Sequence, residues 1–94
     1  MSCEVTVRLF HRLRELEGTR EVRVTPARCN VSGLIESFLG NRPEAAEEML
    51  DGRGEVSSRY TIVVNQQVIT RDRWEETGLA NGDEVAFLTL ITGG

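Results

Sequence analysis

No lysine occurs in this chain of 94 residues; all 11 basic side chains are arginine. Arginine replaces lysine readily on a solvated surface, but guanidinium stays protonated and is no nucleophile, so the α-amine of Met1 is the one primary amine. Basic charge is also in deficit. Fifteen acidic residues against 11 basic ones give a net charge of −4 and a pI near 5.0, which argues against nucleic acid and membrane surfaces as partners, since phosphate neutralisation needs a basic face. With two cysteines and one histidine, His11, the chain cannot assemble a tetrahedral zinc site or a four-thiolate iron–sulfur cluster, and no metal is expected. Cys3 and Cys29 stand far apart without a CxxC pattern and read as two separate small thiols. Long apolar runs are missing too: the longest, Val85 to Ile91, is broken by Thr89, far short of the roughly 20 residues of a membrane span. The start, Met1-Ser2-Cys3-Glu4, has neither a basic nor an apolar signal region, so a cytoplasmic location is expected. Only two prolines and 28% charged against 39% hydrophobic residues exclude a disordered or collagen-like chain. Gly52 and Gly54 are not followed by a GK[ST] element, so no phosphate loop and no bound cofactor are expected.

What is present is the material for one small core. Val5, Val7 and Leu9 alternate with Glu4, Thr6 and Arg8, the period of a strand with one buried face. His11 to Gly18 reads as a polar connector that reverses at Gly18-Thr19. Val22 and Val24 alternate again up to Pro26, predicting an antiparallel partner for the first strand. Leu34, Ile35, Phe38 and Leu39 share one face of the main helix, with Asn30 or Ser32 as its cap and Gly40-Asn41 as a left-handed stop. Pro43 opens a shorter helix that carries Ala46, Met49 and Leu50. Asp51 to Ser58 reads as an exposed loop. Arg59 to Asn65, then a turn into a short strand within Asn65-Gln66-Gln67-Val68-Ile69, and finally Glu84 to Ile91 after the Asn81-Gly82-Asp83 turn, read as three further strands. The predicted fold class is α+β, a mixed sheet of four to five strands packed on one main helix, with a short second helix.

The end of the chain is its most distinctive feature. A strongly apolar strand runs straight into Thr92-Gly93-Gly94. Terminal glycines add no packing and cost more ordering entropy than any other residue, so they serve no core. They supply a thin backbone, and the five residues Leu90 to Gly94 could carry a carboxylate as far as about 17 Å into a narrow cleft. Residues 1–91 are therefore read as a single domain and 92–94 as a flexible tail. Within the last strand, Val85 and Phe87 alternate with Ala86, Leu88 and Leu90. If the first set faces the helix, the second lies on the open face of the sheet, an apolar strip beside the tail. Asp83 and Glu84, which could pass for a catalytic carboxylate pair, read instead as turn residues.

Taken in order, Leu-Phe-x-x-Leu-Arg-Glu-x-x-Gly at Leu9 to Gly18, Val64-Asn65, Asn81-Gly82-Asp83-Glu84-Val85 and the terminal Gly93-Gly94 resemble the MoaD/ThiS family. This is a family of ubiquitin-like β-grasp sulfur carriers that includes the small archaeal modifier proteins. Chain length and the segment Pro43 to Ser58 look more like the MoaD and archaeal modifier branch than the shorter ThiS branch. Where many MoaD-like tails carry Pro-Pro, this chain has Leu88-Thr89-Leu90-Ile91.

The resemblance implies a carrier that is a substrate, not an enzyme, with no catalytic residue of its own. A MoeB/ThiF-like, E1-like adenylyltransferase would use ATP to adenylate Gly94, and a persulfide would then displace AMP to leave a thiocarboxylate. The first destination implied is molybdopterin (molybdenum cofactor) synthesis, with the chain as the small partner of a molybdopterin synthase large subunit. Alternatives are a protein modifier that forms isopeptide bonds with target lysines or donates sulfur to tRNA thiolation, and a ubiquitin-fold interaction module that is never activated. Gly94 would be the attachment point, Gly93 and Thr92 the tail, and Ala86, Leu88, Leu90 and Ile91 the docking strip. The family's parallel pairing of first and last strands would put Arg8 at the strip's edge.

Overall fold

The structure, a computed structural model, describes residues 2–89. Strand β1 (Val5–Leu9) leads through helix α1 (His11–Glu17) to β2 (Glu21–Val24). Helix α2 (Val31–Gly40) and helix α3 (Pro43–Met49) follow, then β3 (Tyr60–Val64), β4 (Gln67–Ile69), a 3-10 turn at Arg71–Arg73, and β5 (Glu84–Thr89). The strands form one sheet in the order β2-β1-β5-β3-β4. β1 and β5 run parallel, with Val7 beside Val85 and Leu9 beside Phe87, and the other pairs are antiparallel. This is the expected α+β architecture, with the five strands read from the sequence and, beyond the two helices expected, a third.

The alternation read from the sequence decides the faces. Val5, Val7, Leu9, Ile62, Val85 and Phe87 are all buried, together with Leu34, Ile35 and Phe38 of α2. The rings of Phe38 and Phe87 meet edge to face at 5.1 Å and 89°, a geometry favoured by the ring quadrupoles. Asn30 caps α2, its Oδ1 accepting from the Gly33 amide at 2.7 Å. The left-handed stop expected at Gly40-Asn41 is absent: Asn41 has φ −115°, and the turn closes through the Arg42 amide on the Leu39 carbonyl at 3.2 Å, just before Pro43.

Further expectations are corrected. The connector between β1 and β2 is not a polar turn but α1, which buries Leu13 and ends on Gly18 at φ 70° with its amide on the Arg14 carbonyl. Seven residues give too few turns for an apolar period to show, and most of α1's stability comes from tertiary contacts. Glu17 holds the Arg42 guanidinium at 3.0 Å, half-buried, and that guanidinium also lies over the Phe38 ring at 4.7 Å. The loop after α3 is likewise less free than expected, because Val56 is buried and bridges back to Leu50.

Another correction concerns the cysteines. Cys3 and Cys29 are not separate thiols; they form a disulfide, with Cα atoms 6.1 Å apart. Sequence separation hid their proximity, because the hairpin of β1 and β2 folds the start of β1 back beside the loop that enters α2. That junction is further tied by the Leu79 amide on the Cys29 carbonyl and the Gly82 amide on the Glu4 carbonyl, each 2.8 Å. A bridge across 26 positions restricts the unfolded chain enough to be worth about 3–4 kcal/mol. Urea unfolding is expected to show the oxidised protein more stable by about that much than the reduced one; equal midpoints would show that the bridge contributes nothing.

Candidate functional site

The last strand and its neighbours build the sheet face that carries the candidate strip. On the sheet face away from α2, Ala86 of β5 stands between Arg8 of β1 and Val63 of β3, and Leu88 stands beside Thr61. Parallel pairing therefore does put Arg8 next to this strip. Ala86 and Leu88 are half-buried, and Val68 on β4 is the exposed large hydrophobic residue among those described. Arg8 and Glu84 approach to 3.7 Å with both side chains more than half exposed, a pairing worth little in water. Leu90, Ile91, Thr92, Gly93 and Gly94 lie outside the described residues.

Phe10, which alternation alone does not assign, joins this face. With Arg8, Val63, Asn65, Gln66, Glu84 and Ala86 it lines an open hollow of about 370 Å³. Parity held the signal, since Phe10 continues the even-numbered series of Thr6 and Arg8, but the chain turns into α1 there and interrupts the series. Val63 has the same parity argument on β3.

The carboxylates next to the hollow do structural work. The Asp83 carboxylate accepts from the Ala80 amide at 2.8 Å and from the Asn65 side-chain amide at 3.1 Å. Asn65 in turn accepts from the Glu84 amide at 3.0 Å, which locks the turn between β3 and β4 onto the start of β5. Asn65 and Gln66 hold φ 47° and 72°, and Gly82 holds φ 91°, as tight turns at these two points require. The Asp83 carboxylate thus serves the turn, as the sequence suggests, whereas Glu84 joins it through its backbone amide and its carboxylate faces Arg8. Among the described residues no group of three or more His, Cys, Asp or Glu side chains is placed to hold a metal ion.

The other end of β3 borders the exit of β5. Tyr60 pairs with Thr89, and its hydroxyl donates to a Glu48 carboxylate oxygen at 2.6 Å. Burial first, and then the Glu48 carboxylate, push the phenol well above its ordinary range, so at neutral pH it is a hydrogen-bond donor and not a phenolate. His11 is exposed at this same end of the sheet, in a left-handed conformation at φ 52°.

A five-stranded mixed sheet holding one main helix, with β1 and β5 paired in parallel at its centre, defines the ubiquitin-like β-grasp fold. The sequence model of the ThiS family matches residues 7–94, and the chain belongs to that family. Small archaeal modifier protein 1 from Methanosarcina acetivorans is similar at 27% identity and a TM-score of 0.81, over 100% of this chain and 99% of that one. SAMP1 from Haloferax volcanii shares the fold at 24% identity and a TM-score of 0.76, over 97% and 99%. A Pyrococcus furiosus protein described as a candidate molybdopterin converting factor, subunit 1, is similar at 25% identity and a TM-score of 0.72, over 95% and 99%. No curated protein matches the chain. Among the described residues no helix is long and apolar enough to cross a membrane.

Proposed function

We propose that this protein is a sulfur carrier whose Gly94 carboxylate is adenylated by an E1-like, MoeB/ThiF-like enzyme that consumes ATP, and is then converted to a thiocarboxylate. The observation that carries the reading is the family match, which runs through the core and on to the terminal Gly93-Gly94. A free carboxylate is a poor electrophile, and the mixed anhydride with AMP supplies a leaving group. The terminal sulfur of a persulfide attacks the Gly94 carbonyl and AMP departs. A second thiol on the sulfur donor then cleaves the S–S bond and leaves the thiocarboxylate. Attack at a glycine carbonyl meets no side chain, and Gly93 lets the backbone bend in a narrow channel. All catalytic groups belong to the partner, and the reaction belongs in the cytoplasm, where ATP is supplied.

The strip Ala86, Leu88, Leu90 and Ile91, with Arg8 at its edge and the Phe10 hollow beside it, is the surface that docks the activating enzyme. Leu88→Arg is expected to leave the unfolding free energy within about 1 kcal/mol of the parent, as a half-buried surface change. It is also expected to weaken binding of the activating enzyme by at least about tenfold, as loss of an interface anchor does. Calorimetric titration of the variant into that enzyme measures the affinity, and an unchanged value would remove the strip from the interface.

The destination we favour is molybdopterin synthesis, in line with the similarity to the Pyrococcus furiosus protein. The thiocarboxylate form mixed with a molybdopterin synthase large subunit is expected to sulfurate that enzyme's precursor. Failure there, with isopeptide conjugates on cellular lysines, would favour the modifier role, in line with the similarity to the archaeal modifier.

A further inference from the structure

Among the described residues, the sheet end that holds the Tyr60–Thr89 pair carries no amine and no thiol that could capture an activated Gly94. We propose, on the carrier reading above, that the chain is thereby a donor only: its activated terminus reacts with other molecules and never with a side chain of its own.

Three features combine. The first is what stands near the exit. Arg59 immediately precedes Tyr60, the residue paired with Thr89, and Arg12 and Arg14 lie on α1, which continues β1 at the end where Leu9 sits beside Phe87. Residues 90–94 span at most about 17 Å, an arc that takes in a side chain at position 59. A lysine there would attack the Gly94 acyl-adenylate: its nitrogen lone pair forms the C–N bond, the carbonyl C–O bond to phosphate breaks, AMP leaves with the electron pair, and the amine releases a proton. Arginine cannot do this.

Nor does the fold demand guanidinium at that site. Arg59 touches Ser57 Oγ at 3.4 Å, the Glu48 carbonyl at 3.4 Å and the Glu48 carboxylate at 3.7 Å, long contacts that an ammonium would serve equally well. Arg42, forked between Glu17 and the Phe38 carbonyl over the Phe38 ring, is the contrasting case where planarity is used.

The second feature is the placement of the thiols. Cys3 and Cys29 are bonded to each other, and Cys3 lies three residues before Thr6, the residue beside Glu84 at the start of β5. Along the sheet that is about 25 Å from Thr89, beyond the tail's reach even when the bridge is reduced. The third is the weakness of what remains. The Tyr60 hydroxyl is engaged by Glu48, Ser57 Oγ accepts from the Arg59 amide and guanidinium rather than donating to a base, and an acyl-imidazole formed at His11 would hydrolyse rather than persist.

The test activates Gly94 without any enzyme, as a C-terminal thioester of the full chain made through an intein fusion and freed of excess thiol. Wild type is expected to yield only the hydrolysed acid. Arg59→Lys is expected to yield a lariat one water lighter than that acid, with the side chain at position 59 joined to Gly94 in the peptide map, at least about tenfold above the wild-type level, as tethered reactants allow. Arg12→Lys is a second variant at the same end, and a phosphine-reduced wild-type sample is expected to form no thioester with Cys3 or Cys29. Self-linked wild type, through Met1 or any side chain, would overturn the inference, as would folded Arg59→Lys and Arg12→Lys variants that do not cyclise. Because no activating enzyme takes part, either result is separate from the fate of the carrier reading.

Discussion

Deleting Gly93 and Gly94, or adding one alanine beyond Gly94, is expected to abolish adenylation and sulfur transfer while leaving the melting temperature where it was. The core is complete without these residues: among the described residues, every buried apolar side chain of the sheet and helices lies between Cys3 and Phe87. Two glycines bring no apolar surface to a core, so their removal cannot cost burial energy. The extended chain tests the same point from the other side, since it keeps both glycines but moves the carboxylate one residue further and puts a Cβ beside the carbonyl under attack. A carrier whose carboxylate is the reacting group cannot tolerate either change. Turnover by either variant, measured as ATP-dependent pyrophosphate exchange with the activating enzyme, would show that the tail is not the working part.

The second large effect runs the opposite way. Phe87→Ala is expected to cost about 3–5 kcal/mol, the usual penalty for emptying a fully buried aromatic site. Phe87 sits at zero exposure on the central strand, flanked by Leu9 and Ile62 in register and capped by the Phe38 ring at 5.1 Å. Domains of this size have only about 5–15 kcal/mol of stability in total, so the variant should sit at the edge of unfolding at physiological temperature. Leu88, the next residue on the same strand, points away from α2, and Leu88→Arg should barely move the urea midpoint. A small effect at Phe87, or a large one at Leu88, would reverse the assignment of faces.

That assignment was legible in the sequence because the period of a strand is two: Val5, Val7, Leu9, Val85 and Phe87 form one set and Thr6, Arg8, Ala86 and Leu88 the other. The main helix was legible for a similar reason, with Leu34, Ile35 and Phe38 on one face and Asn30 in front. Short elements escaped. α1 offers one buried leucine in seven residues, and its clearest mark, Gly18 closing a left-handed cap, reads equally as a turn. Phe10 escaped because a change of element interrupts the parity that places it on the open face. The disulfide escaped because two positions 26 apart become neighbours only through the sheet and the loop before α2, and no local pattern encodes that distance. Of the candidate site, Ala86 and Leu88 were readable from the alternation along the last strand, and the turn built on Asp83 from Asn81-Gly82-Asp83. The clasp of Asn65 on Asp83 and Glu84 needed the fold, since β3 and β5 meet only through the antiparallel pairing of Val64 with Val85.

The absence of lysine is the clearest case in which composition and structure inform each other. As a count it is a surface preference. Beside the Tyr60–Thr89 pair it bears, on the carrier reading proposed above, on which nucleophiles an activated Gly94 would meet. The central claim, however, is the fate of Gly94 itself. Intact mass spectrometry of the purified chain, after incubation with ATP, a sulfur source and its E1-like enzyme, tests it most directly. The account predicts a gain equal to one oxygen exchanged for one sulfur, confined to the peptide that ends in Gly94; an unchanged mass under conditions where that enzyme is active on ATP would contradict it.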